Sequence, residues 1–137
     1  MSYAGDVSPQ EAYDALAADE DAVLVDVRTR AEWTYVGLPD LSAVRKRVVC
    51  VEWQRDSDGA VNGDFVDELQ DAGLPDGAPI YFLCRSGARS AAAAEAATAA
   101  GLGPAYNVAE GFEGPHDEHG HRTVSGWKNV GLPWRQG

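Results

Sequence analysis

One stretch constrains this chain more than any other: Ile80-Tyr81-Phe82-Leu83-Cys84-Arg85-Ser86-Gly87-Ala88-Arg89-Ser90, running on into alanines up to Ala100. Four apolar residues lead into Cys84 with no polar break, the pattern of a strand covered on both faces. From Ser90 to Ala100 eight residues are alanine, the best helix former, so a helix opens straight out of the loop. At such a junction the first backbone N–H groups of the helix lack intrahelical partners, and the helix dipole adds partial positive charge. Arg85 and Arg89 add two full charges. A thiol at the mouth of this cradle is favoured as thiolate, and the thiolate is the nucleophile.

The rest of the chain supplies the frame. Ser8-Pro9-Gln10-Glu11 has capping-box spacing with proline at the first helical position, which predicts a helix over 9–18. Ala22-Val23-Leu24-Val25-Asp26-Val27 reads as an interior strand. Thr29 to Glu32 repeats the capping-box spacing and predicts a short helical turn around Ala31 to Trp33. Gly37-Leu38-Pro39-Asp40 reads as a turn, 47–53 as the next strand and 56–59 as a loop. Asn62 is placed to cap a helix over 63–72, stopped by Gly73. After the alanine helix, Ala105 to Val108 is a last short strand. Strands alternating with helices predict an α/β fold, a mainly parallel sheet with helices on both faces. Sites in such folds lie beyond the carboxyl ends of strands, where Cys84 falls.

Length suits one domain over 1–137 with its core about 8–134. A net charge of −11 weighs against a nucleic-acid or anionic-membrane partner. The one basic run, Arg45-Lys46-Arg47, reads as a solvated strand entry. The N-terminus lacks the basic and apolar regions of a signal peptide, and no apolar run is long enough to span a bilayer, so a cytoplasmic location is expected. Two cysteines do not make a disulfide scaffold in a chain of this size. Cys50, inside Val48 to Val51, reads as a packed core thiol, with a resolving partner for Cys84 as the lesser reading.

Three stretches together resemble the rhodanese-like family, over about Ser8 to Trp134. They are Asp26-Val27-Arg28 with Glu32-Trp33, the Cys84 to Ser90 loop, and Asn107-Val108 through Gly111-Phe112 and Gly126-Trp127 to Gly131-Leu132-Pro133-Trp134. The resemblance implies a mainly parallel five-stranded sheet and a sulfurtransferase. Cys84 would take the outer sulfur of a donor such as thiosulfate as a persulfide, and a thiol or cyanide would remove it. No cofactor or metal is implied. The amides from Ser86 through Gly87 and Ala88 to Ser90 would cradle the sulfur, Arg85 and Arg89 would hold the donor's oxyanion, and Asp26 and Arg28 would stand behind the loop as support. Glu32 is expected to pair with an arginine or cap a helix. Members commonly carry Gly-His-Ile-Pro-Gly-Ala after the Asp-x-Arg motif. Here Val36-Gly37-Leu38-Pro39-Asp40-Leu41 stands in its place, which implies an altered surface loop.

Three other readings compete. Phosphatases and arsenate reductases that share the general fold use a loop one residue longer, with arginine six positions after the cysteine; here Arg89 is at five and Ser90 at six. A non-catalytic binding or regulatory module is the alternative function, although such modules typically lack the cysteine. The run from His116 to His121 could bind zinc, but with no cysteine near it reads as a solvated loop. Phe112, Trp127 and Trp134 read as packing, and the tail from Gly111 onward as a cover for the Cys84 mouth.

Overall fold

The structure, a computed structural model, describes residues 3–55, 57–114 and 126–136. The alternation in the sequence becomes a five-stranded sheet in which every pairing is parallel. Its strands are β1 (Gly5–Val7), β2 (Val23–Asp26), β4 (Val49–Cys50), β5 (Ile80–Leu83) and β6 (Ala105–Val108), in the order β1-β6-β5-β2-β4. A separate antiparallel ladder joins β3 (Leu38–Pro39) to β7 (Trp134–Arg135). The helices are α1 (Pro9–Ala18), α2 (Arg30–Tyr35), α3 (Phe65–Asp71) and α4 (Ala88–Ala99). Both capping boxes form: Ser8 with Glu11 opens α1, and Thr29 with Glu32 opens α2. Among the described residues no helix is long and apolar enough to cross a membrane.

The period of two along each strand sorts the core into two halves. Val25, Val27, Ile80, Phe82 and Cys84 face α3 and α4, packing on Phe65, Leu69, Ala93, Ala94 and Ala97. Leu24, Tyr81, Leu83 and Val108 face the other way, onto Ala12 and Leu16 of α1 and onto Phe112, Trp127 and Leu132 of the tail. All four residues of β5 are buried, as the unbroken apolar run requires of a central strand. Each large side chain removed from water here contributes about 1.5–3 kcal/mol. The small alanines of α4 let that helix lie close on β5 and β6.

The connections set the site. The chain leaves β2 towards β4 on one side of the sheet and leaves β5 towards β6 on the other. The loops after β2 and β5 therefore diverge, opening the crevice where ligands of parallel sheets bind. Cys84 is the residue that follows β5.

Several expectations are corrected. The strand expected over 47–53 is only Val49–Cys50, although its ladder continues through Val51 N–H to the Asp26 carbonyl and Trp53 N–H to the Val27 carbonyl. It lies at the sheet edge, which leaves Cys50 exposed rather than packed in the core. The helix capped by Asn62 begins two residues later than expected, because the Asn62 carboxamide accepts from Asp64 N–H within the turn. Lys46 is not simply solvated: its amine donates to the carbonyls of Asp19, Glu20 and Ala22, tying the basic run to the loop before β2. The stretch read as a turn and altered surface loop, Gly37 to Asp40, contains β3 and is fastened to the chain's end.

Candidate active site

Two neighbours fix the Cys84 sulfur. Gly87 N–H donates to Sγ at 3.1 Å, and Ser90 Oγ lies 3.2 Å away. The loop turns back on its own cysteine because Gly87 has φ +112° and caps α4 without a side chain. A Cβ there would lie 2.1 Å from the Ala109 carbonyl oxygen, so both the backbone angle and the space demand glycine. The amides of Arg85, Ser86, Ala88, Arg89 and Ser90 donate to no acceptor among the described residues. Cys84 as a whole is 1% exposed. Behind the loop, Gly111 passes so near that a Cβ would meet the Arg85 carbonyl at 2.5 Å. From there Phe112 N–H donates to the Cys84 carbonyl, and Glu113 and Gly114 N–H groups donate to that of Arg85. The start of the tail is thus the back wall of the loop.

The two loop arginines differ. Arg85 is exposed, and its guanidinium has no partner among the described residues. Arg89 is held by Glu32 of α2 through both terminal nitrogens, at 2.6 and 2.9 Å. Sequence reasoning assigned both to the donor's oxyanion; Glu32 takes two of the five N–H donors of Arg89 and offsets its charge, whereas the charge of Arg85 is unpaired among the described residues. Glu32 fulfils both expected roles, since it also closes the capping box with Thr29. Burial pushes the Glu32 carboxyl up, but the Arg89 hydrogen bond and charge and the Thr29 amide outweigh it and leave Glu32 below its usual range.

A depressed carboxylate adds stability above its unfolded pKa and loses that contribution as pH falls through the folded value. Glu32→Gln is therefore expected to cost about 1 kcal/mol in urea unfolding at pH 7, with the difference from wild type shrinking towards pH 3. A deficit that is constant across that range would show that the charge of Glu32 plays no part.

Asp26 and Arg28 share the opposite face of the sheet from Cys84. They alternate with Val25 and Val27, which pack in the Cys84 half of the core. Both are fully buried and bonded to each other: Arg28 Nε and Nη2 donate to the Asp26 carboxylate, and Nη2 also donates to the Gly37 carbonyl at 2.7 Å. The Arg28 guanidinium lies 4.3 Å from the centre of the Phe112 ring. The pair ties β2, the Gly37 turn and the tail together without reaching the sulfur.

Cys50 pairs in register with Asp26 and belongs to that second face too. The sheet separates it from Cys84, so it is not placed as a resolving thiol. Although Cys50 reaches solvent at the sheet edge, the protein packed around its thiol, with the Asp26 carboxylate adding to it, pushes the thiol up. It faces a cleft of about 490 Å³ bordered by Leu38, Pro39 and Arg135.

Phe112 and Trp127 are fully buried, whereas Trp134 is 38% exposed, stacked edge-on against Phe112 with the Lys128 amine over its ring. The run from His116 to His121 lies outside the described residues. Sequence reasoning gave Asn107 no role, yet its buried carboxamide accepts from Ser90 at 2.5 Å. The available signal was an amide inside an otherwise apolar strand.

Comparison with known proteins places this geometry in a family. A crystal structure of Rv0390 from M. tuberculosis is 56% identical, with a TM-score of 0.91 over 98% of this chain and 99% of that one. The uncharacterized protein RC0915 of Rickettsia conorii is 41% identical over 126 residues, 91% of this chain and 92% of its own length. The polysulfide-sulfur transferase homodimer of Wolinella succinogenes, at 24% identity and a TM-score of 0.63, covers 99% of this chain and 80% of that one, and shows the fold to be rhodanese-like. The family described as the STR4 middle domain matches residues 4–137, and the chain belongs to it.

Proposed function

We propose that the protein is a sulfurtransferase that carries a sulfane sulfur on Cys84. The observation behind this reading is the 3.1 Å bond from Gly87 N–H to Sγ, beside loop amides that no described residue uses. The Cys84 thiolate attacks the outer sulfur of thiosulfate; a new S–S bond forms, the old one breaks, and sulfite departs with the electron pair. The terminal sulfur, now bearing the negative charge, is held by the amides at the start of α4, as an oxyanion hole holds its oxygen. Losing one such donor costs about 3–4 kcal/mol in other enzymes. Cyanide or a thiol then takes that sulfur and the thiolate is restored. Arg85, whose guanidinium has no partner among the described residues, takes the donor's sulfonate, and Arg89 fixes the loop through Glu32.

Treating the full chain with thiosulfate is expected to add the mass of one sulfur to the peptide containing Cys84, and cyanide is expected to remove it. Absence of the adduct would sink the proposal.

A second reading has one observation in its favour: Cys84 is 1% exposed, with both its neighbours inside the protein. On this reading the domain binds a partner and transfers nothing, and the same mass measurement decides between the two. Phosphatase chemistry is weakened further by the lock on Arg89. Turnover of an aryl phosphate with no persulfide formed would restore it.

A further inference from the structure

We infer that Asn107, held in place by Asp6, sets the direction of the Ser90 hydroxyl and so decides how readily Cys84 becomes a nucleophile. This deepens the reading of Cys84 as the sulfur-carrying residue and rests on it. A continuous chain of polar contacts leads away from the sulfur: Ser90 Oγ at 3.2 Å from Sγ, Asn107 Oδ1 at 2.5 Å from Ser90 Oγ, Asp6 Oδ1 at 3.0 Å from Asn107 Nδ2, and the Tyr3 hydroxyl at 2.8 Å from Asp6. Ser90 is fully buried and Asn107 is 4% exposed, so the middle of the chain is shielded from water.

Proton counting gives the chain a direction. An ionised Asp6 can only accept, so the amide nitrogen of Asn107 faces it and the amide oxygen faces Ser90. A serine hydroxyl has one proton to donate. Its possible acceptors are Asn107 Oδ1 at 2.5 Å, the Gly87 carbonyl at 3.2 Å and Cys84 Sγ at 3.2 Å. The shortest contact takes the proton. Ser90 therefore presents a lone pair to Sγ and accepts from the resting thiol. Once the thiol loses its proton, that lone pair faces a negative sulfur until the hydroxyl turns away from Asn107 and donates to it. Asn107 competes with the sulfur for a single proton and acts as a positioning residue, never touching the donor.

Among the described residues, the charged groups nearest Cys84 on the elements packed against it are Arg85 in the loop, Arg89 of α4 with its partner Glu32 of α2, and Asp26 across the sheet on β2, with Asp6 and the neutral, titratable Tyr3 at the far end of the chain of contacts. Replacing Asn107 alters no charge among them; Asp6 loses the bond it accepts from the Asn107 amide. The test is the rate at which iodoacetamide alkylates Cys84 in the full chain at neutral pH, read by mass spectrometry on the Cys84 peptide. Asn107→Leu keeps the volume, removes the competing acceptor and is expected to raise the rate about tenfold, the size of one hydrogen bond to a charged group. The gain is expected to vanish when Ser90→Ala is added, because Asn107 acts through that hydroxyl.

Should Asn107→Leu fail to fold, Asp6→Ala at the exposed edge strand carries the same test. It frees the amide to turn its nitrogen toward Ser90, so it too is expected to speed alkylation only while Ser90 is present. An unchanged rate in the single variants, or a gain that survives Ser90→Ala, would overturn the inference. Alkylation needs no sulfur donor. Expected alkylation rates without any persulfide would defeat the sulfur-transfer proposal and leave this one standing.

Discussion

Serine in place of Cys84 is expected to abolish sulfur transfer from thiosulfate to cyanide while the protein stays folded. The hydroxyl oxygen can accept from Gly87 N–H and bond to Ser90, the two contacts that Sγ makes, so the loop keeps its shape. The substitution is also nearly isosteric, and its cost in urea unfolding is expected to stay within about 1.5 kcal/mol. What it removes is the chemistry. A neutral hydroxyl is a far weaker nucleophile than a thiolate, and oxygen cannot store a sulfane sulfur as a stable S–S bond. Deleting a catalytic nucleophile elsewhere costs about 10⁶-fold in turnover, and a loss of that order reads as zero in this assay. The measurement is thiocyanate formation by wild type, Cys84→Ser and Cys50→Ser, beside circular dichroism and urea unfolding. Cys50→Ser is expected to retain full turnover, since Cys50 lies on the other face of the sheet. Residual turnover in Cys84→Ser at even a few per cent of wild type would move the sulfur-carrying role elsewhere.

The parts of this fold that were legible in the sequence are those written in local pattern. The unbroken run Ile80 to Leu83 could only be a covered strand, and the alanines after Gly87 could only be helix. The capping boxes at Ser8 and Thr29 marked helix starts because their hydrogen bonds close within three residues. The strands that local pattern did not reveal have distant partners. Gly5–Val7 is three residues long and exists because Val108 and its neighbours offer an open edge about a hundred residues later. Leu38–Pro39 pairs with Trp134–Arg135 at the far end of the chain, and nothing in Gly37 to Asp40 announces such a partner. The site divides the same way. Cys84, Gly87 and Ser90 lie within one turn of each other and were read together. That Arg89 would face Glu32, 57 residues earlier, could not be ranked against a role on the donor until α2 was seen beside α4. Cys50 shows the limit from the other side: an apolar neighbourhood in sequence says buried, but an edge strand buries alternate side chains incompletely.

The largest loss of stability is expected at Asp26, on the face of the sheet opposite Cys84. Asp26→Ala removes the one carboxylate bonded to Arg28 among the described residues, and the Arg28 side chain is 0% exposed. The guanidinium keeps its bond to the Gly37 carbonyl and its place over the Phe112 ring, but neither supplies a counter-charge. Breaking one side of a buried ion pair costs about 3–5 kcal/mol, a large share of the 5–15 kcal/mol that holds a typical domain together. The double variant Asp26→Leu with Arg28→Met removes both charges and fills the space with hydrocarbon, so it is expected to be more stable than Asp26→Ala although it carries two substitutions. Urea midpoints of the three proteins measure this directly. A double variant no more stable than Asp26→Ala would mean that the pair is needed for geometry, through the Gly37 turn and the β3–β7 ladder, rather than for charge balance. Sulfur transfer per folded molecule supplies the second half of the test. The sheet stands between Asp26 and Sγ, so turnover by the folded fraction of Asp26→Ala is expected to match wild type; a fall of tenfold or more would give Asp26 a part in the reaction that its position on the far face does not predict.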